Sequence, residues 1–125
     1  SCFGAPFLPL SPLVYAKMLK ERIVKYQSRV WLINTGWVGG SYGVGERIRL
    51  PYTRAMISAA LRGEIDETEM IVDPVFGLHM PKNISGVPTV VLDPKSHWSD
   101  KDAYLLTAEK LRNLFEKTLE NYNLD

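Results

Sequence analysis

Cysteine is almost missing from this chain: Cys2 is the only one in 125 residues, so no internal disulfide framework can form and at most one thiol is available to a metal. Histidine is nearly as scarce. His79 and His97 stand alone, with no Cys or carboxylate at ligand spacing, so metal coordination lacks a donor set. No apolar run approaches the ~20 residues of a membrane span, and no basic-then-apolar opening resembles a signal peptide. A strong charge of either sign is absent too. The net charge is +1, and no basic cluster is interleaved with exposed aromatics, which argues against nucleic acid as a partner. No Ser-His-Asp set, carboxylate pair, internal repeat or low-complexity tract is present.

What is present describes a globular chain, 46% hydrophobic and 23% charged. A length of 125 residues suits one domain, able to bury roughly two-thirds of its unfolded surface. The first ten residues, Ser1 to Leu10, contain no Met and no charge, and read as the interior of a longer chain. The charge is unevenly placed: residues 1–62 balance to +7 and residues 63–125 to −6. Two readings stay open, an anionic ligand engaged by the basic half, or two solvated surfaces that offset each other.

Local signals predict a mixed α/β chain. Ser11-Pro12 supplies an N-cap hydroxyl and a first-turn proline for a helix carrying Tyr15, Leu19, Ile23 and Tyr26 on one side. Arg29–Asn34 is predicted as a short strand covered on both faces. A loop with five glycines in ten residues follows, Gly36–Gly45. Arg47–Leu50 alternates basic and apolar residues as a short strand would, and Pro51 then opens a second helix closed by Gly63. Residues 64–95, broken by prolines and glycines, are predicted as loops with short edge strands. Ser99-Asp100-Lys101-Asp102 has the capping-box pattern, and Tyr104, Ala108, Leu111, Phe115, Leu119 and Tyr122 then mark a helix with a core-facing stripe.

One stretch invites a chemical reading. Gly40-Ser41-Tyr42-Gly43-Val44-Gly45-Glu46-Arg47 has the glycine spacing of a phosphate-binding loop. Glu46 stands where such a loop needs Lys, and Arg47 where it needs a hydroxyl for Mg²⁺, so a triphosphate would be repelled. Glycines that turn the chain or let backbone approach a ligand fit better. For the two histidines, structural roles are favoured over catalysis, and Cys2 has no histidine nearby in sequence to make it a nucleophile. By themselves the residues describe an α/β module that binds an anion or an aromatic ring through residues 34–54.

Asn34-Thr35-Gly36-Trp37, then Tyr42-Gly43-Val44-Gly45-Glu46-Arg47-Ile48 and Tyr52-Thr53-Arg54-Ala55, resemble the ATP-dependent phosphoenolpyruvate carboxykinases. The likeness continues in order through Cys2-Phe3-Gly4-Ala5, Asp73-Pro74-Val75-Phe76-Gly77-Leu78, Gly86-Val87-Pro88, Leu92-Asp93-Pro94-Lys95, Trp98 and Lys101, and so covers essentially the whole chain. The resemblance implies a parent enzyme, cytoplasmic and gluconeogenic, that converts oxaloacetate and ATP to phosphoenolpyruvate, ADP and CO₂ with Mg²⁺ or Mn²⁺. It implies that this chain is the C-terminal part of the nucleotide-binding domain, a short sheet with about three helices, while the phosphate loop, metal ligands and catalytic groups lie upstream. Carried over by motif position, Arg47 packs its guanidinium on adenine or ribose, Ile48 offers backbone and an apolar contact, and the Thr53 hydroxyl bonds an adenine nitrogen. Each also has a plain structural reading: a surface ion-pair partner, a core residue and a first-turn hydroxyl. Glu46 departs from the family's usual Lys; a carboxylate beside Arg47 competes for its guanidinium unless Arg49 compensates. The partners expected are ATP or ADP and the remainder of the parent enzyme, with self-association of the isolated chain through exposed edges. The alternative is a stand-alone nucleotide-binding or protein-interaction module that has lost catalysis.

Overall fold

The computed structural model describes residues 5–65, 69–120 and 122. The expectations placed on Cys2, Phe3 and Gly4 fall outside them. The chain divides into two units, one ending at Leu32 and the other beginning at Ile33.

The first unit is built on helix α1, Pro12–Tyr26. Its start is as the sequence predicts: the Ser11 hydroxyl accepts from the Leu13 N–H at 3.3 Å, and Pro12 occupies the first turn, where its missing N–H is harmless. Gln27 ends it in the left-handed region, φ 49°, with its N–H donating to the Ile23 carbonyl. No residue of α1 is buried, and Met18, Leu19 and Val24 lie open.

The strand predicted at Arg29–Asn34 does not form. A strand exists only where a neighbour takes up its backbone hydrogen bonds, and none of the described residues pairs with this run. Of its apolar residues, Val30 and Leu32 lie open, Leu32 most of all, while Trp31 and Ile33 are part-buried.

The second unit mixes two hairpins with helices. Strands β1, Trp37–Val38, and β2, Glu46–Arg47, pair antiparallel across the glycine-rich loop. Helix α2, Leu50–Arg62, follows; Pro51 sits in its first turn and Gly63, φ 67°, closes it where a side chain would be strained. Strands β3, Met70–Val72, and β4, His79–Pro81, form the second hairpin, with Ile71 opposite Met80. Two four-residue helices come next, α3, Thr89–Leu92, and α4, Pro94–His97, in a region predicted only as loops and edge strands. Proline at Pro88 and Pro94 starts each turn instead of breaking the chain.

Helix α5 spans Lys101–Glu120. Its cap lies one residue later than the Ser99 predicted: the Asp100 carboxylate accepts from the Asp102 and Ala103 N–H groups, both at 2.9 Å. The Lys101 ammonium binds α4 to α5 by donating to the carbonyls of Lys95, Ser96 and Trp98 at 2.8, 2.7 and 2.6 Å. Only the first half of the predicted stripe is core. Tyr104 and Ala108 are buried with Val75, against Phe76, Trp98 and Leu105, whereas Leu111, Phe115 and Leu119 remain about half exposed. The described elements offer the distal half little beyond the edge-on contact of Phe76 with Phe115, 6.3 Å between centroids.

A buried carboxylate organises this core. Asp73 accepts from the Val75 and Phe76 N–H groups at 2.9 and 2.6 Å, and the Tyr104 hydroxyl donates to its other oxygen at 3.4 Å. Burial first, and the Asp73 charge second, raises the Tyr104 phenol above its ordinary pKa.

Candidate functional site

The three residues singled out by sequence lie where the first hairpin runs into α2. Arg47 ends β2, Ile48 follows it, and Thr53 is the fourth residue of α2. The Ile48 N–H donates to the Gly36 carbonyl at 2.9 Å, and Gly36 in turn takes its N–H to the Asn34 side chain, so the base of the hairpin is tied on both arms.

Sterics explain the glycines of the loop between the strands. A Cβ on Gly45 would lie 2.5 Å from the Val38 carbonyl oxygen and 2.6 Å from that of Gly40, so backbone crosses backbone at the neck. Within the loop, the Val44 and Gly45 N–H groups both donate to the Ser41 carbonyl, at 3.0 and 2.9 Å. Donors that a phosphate cradle would turn outward are thus spent inward, and α2 starts only at Leu50. The phosphate-loop spacing is a hairpin neck, in keeping with the chemistry of Glu46 and Arg47.

Register sorts the charged side chains. Trp37 pairs with Arg47, and Val38 with Glu46. Directly opposed residues share a face and successive residues alternate, so Arg47 lies with Trp37 on one side of the ribbon and Glu46 lies on the other with buried Val38. The competition between Glu46 and Arg47 expected from their adjacency does not arise as an ion pair; among the described residues neither has one. Tyr42, at the loop tip, meets Trp37 edge-on with centroids 5.5 Å apart.

Ile48 is half-buried, and Thr53 is 6% exposed. Two other helical threonines, Thr107 and Thr118, turn their hydroxyls back onto the carbonyls of Ala103 and Leu114, both at 2.8 Å. The Thr53 hydroxyl makes no such bond among the described residues, which leaves its donor and its acceptor sites uncommitted. Sequence gave no hint of this difference.

The histidines are structural in setting. His79 is exposed on β4, while the His97 ring packs under Gly39, where a Cβ would come within 2.8 Å of it, and its Nδ1 is buried without a partner among the described residues. Among the described residues no three His, Cys, Asp or Glu side chains are placed to hold a metal ion. A groove of about 250 Å³ lies away from the hairpin, between β3–β4 and α3–α4, lined by Ile71, Pro81, Lys82, Val90, Leu92 and Asp93. It contains none of the three singled-out residues. Among the described residues no helix is long and apolar enough to cross a membrane.

A family model described as phosphoenolpyruvate carboxykinase matches residues 1–90. Phosphoenolpyruvate carboxykinase (ATP) of Caldanaerobacter subterraneus subsp. tengcongensis is 53% identical over 122 residues, covering 98% of this chain and 23% of the relative. Phosphoenolpyruvate carboxykinase (ATP) 1 of Moorella thermoacetica is 51% identical over 122 residues, with the same two coverages. The Bacillus pumilus protein of that name is 49% identical over 123 residues. The chain spans about 23% of the length of these curated relatives.

Proposed function

Because the chain belongs to the ATP-dependent phosphoenolpyruvate carboxykinase family, we propose that it is the C-terminal part of that enzyme's nucleotide-binding domain and supplies the adenine and ribose side of the ATP site. The reaction served is conversion of oxaloacetate and ATP to phosphoenolpyruvate, ADP and CO₂, in the cytoplasm. In this reading Arg47 lays its planar cation against the base or sugar, Ile48 contributes an apolar edge and backbone, and Thr53 bonds a ring nitrogen. The observation that carries it is Thr53: the residue is only 6% exposed, yet its hydroxyl makes no hydrogen bond among the described residues and still reaches solvent. A hydroxyl that still reaches solvent and is uncommitted within the chain can bond a ligand without first breaking an internal hydrogen bond.

The described residues do not fit a divalent metal site. The Mg²⁺ or Mn²⁺ of the full reaction would be held by other parts of the enzyme, as would the triphosphate. The isolated chain is accordingly without carboxykinase activity, and clear turnover by the purified chain would contradict that. Self-association is also part of the reading, supported by the open apolar residues Leu106, Leu114 and Leu119 on α5. Light scattering from a clean monomer at high concentration would count against it.

The test is an ATP titration of the chain. Half a site, without the phosphate contacts, binds roughly in the millimolar range at best. Thr53→Val, which keeps the shape and removes the hydroxyl, weakens binding about fivefold, the worth of one ~1 kcal/mol hydrogen bond. A micromolar dissociation constant, or unchanged binding in Thr53→Val, would overturn the assignment.

A further inference from the structure

The face of the first hairpin that carries Arg47 has a second property. Two large rings stand on it in water: Trp37 is 45% exposed and Tyr42 is 87% exposed. They are not loose. The Gly40–Gly45 crossing and the paired bonds to the Ser41 carbonyl fix the loop, and the rings meet at an interplanar angle of 73°. In an edge-on pair at least one ring keeps a face uncovered, and no other ring pair or cation contact is recorded on either ring among the described residues. The register sets the Arg47 cation on the same face as Trp37, with no ion-pair partner in the described residues. An uncovered π-face beside an unpaired cation suits a neutral planar heteroaromatic ring that carries an anionic group on its chain.

We propose that Trp37 and Tyr42 form a stacking platform for the nucleotide base, one that holds any purine equally. This rests on the reading of residues 47–53 as the base side of a nucleotide site. The physical reason is that stacking tolerates sequence, since every base has a π-face. The Thr53 hydroxyl adds no choice between purines, because it can donate to one base edge or accept from the other.

Titrating the full ¹⁵N-labelled chain with ATP, GTP and inorganic tripolyphosphate tests this, with the three indole N–H signals of Trp31, Trp37 and Trp98 as reporters. The Trp37 signal is expected to move with ATP and GTP and not with tripolyphosphate. Tyr42→Ser, at a position too exposed to endanger folding, weakens ATP and GTP alike by about fivefold. Trp37→Leu does the same, and Trp37→Phe, which keeps a ring, restores most of the loss. Binding of ATP with an unmoved Trp37 signal and unaltered affinity in Tyr42→Ser would overturn the platform and leave the nucleotide site standing. A shift that tripolyphosphate reproduces would overturn it too, because charge and not the ring would be sensed. No response to any nucleotide would instead remove the reading beneath it.

Discussion

Replacing Gly45 by alanine is the most exacting perturbation of the hairpin that presents Arg47. The added methyl would meet the Val38 carbonyl oxygen at 2.5 Å, the Gly40 carbonyl oxygen at 2.6 Å and the Gly40 nitrogen at 2.9 Å. All three are backbone atoms, so no side chain can rotate away, and the strands must part. Overpacking where side chains can yield costs about 1–3 kcal/mol, which places a backbone clash at about 3 kcal/mol or above. Gly43 is the control. It adopts φ +87° with nothing within 4 Å of a built Cβ, so Gly43→Ala carries conformational strain alone, about 1 kcal/mol. The reporter is hydrogen exchange of the Ile48 amide, bonded at 2.9 Å to the Gly36 carbonyl across the hairpin base. Relative to the unaltered chain, Gly45→Ala should raise its exchange roughly a hundredfold or to the unprotected rate, and Gly43→Ala less than tenfold. Equal protection in the two variants would refute the claim that backbone crossing, and not glycine flexibility, explains these residues.

Two further outcomes follow from the core of the second unit. Lys101→Met removes a cation that bonds three carbonyls at the end of α4 and should lower stability by about 1 kcal/mol in a denaturant titration; Lys101→Arg should not restore it, because a planar fork cannot meet three converging oxygens. Tyr104 has its pKa raised in the folded state by burial and by Asp73, so its contribution is complete below the unfolded value of about 10 and is lost as pH rises through the higher folded value. The denaturation midpoint of the unaltered chain should therefore fall more steeply above pH 10 than that of Tyr104→Phe; parallel curves would contradict this.

Features set by a few neighbouring residues were legible in the sequence. Ser11-Pro12 and Gly63 place the start of α1 and the end of α2 because capping is local chemistry. At α5 the same logic erred by one residue, since Asp100 competes with Ser99 for the same orphan N–H groups and wins. The strand expected at Arg29–Asn34 fails for the opposite reason: its apolar pattern specifies a covered environment, while pairing depends on partners distant in sequence. The half-exposed stripe of Leu111, Phe115 and Leu119 has the same cause. At the candidate site, motif order pointed to Arg47, Ile48 and Thr53, but spacing could not tell a phosphate cradle from a hairpin neck. That distinction lies in where the Val44 and Gly45 N–H groups point. Nor could adjacency show that Glu46 and Arg47 face apart, since that requires knowing where β2 begins.

The central claim is that the hairpin-to-helix corner receives the base and sugar of ATP. Backbone amide shifts of the ¹⁵N-labelled chain on addition of ATP test it most directly. The largest movements are expected at Arg47, Ile48 and Thr53, with the groove at Lys82 and Asp93 left unchanged. Movements concentrated at that groove, with the corner silent, would contradict it.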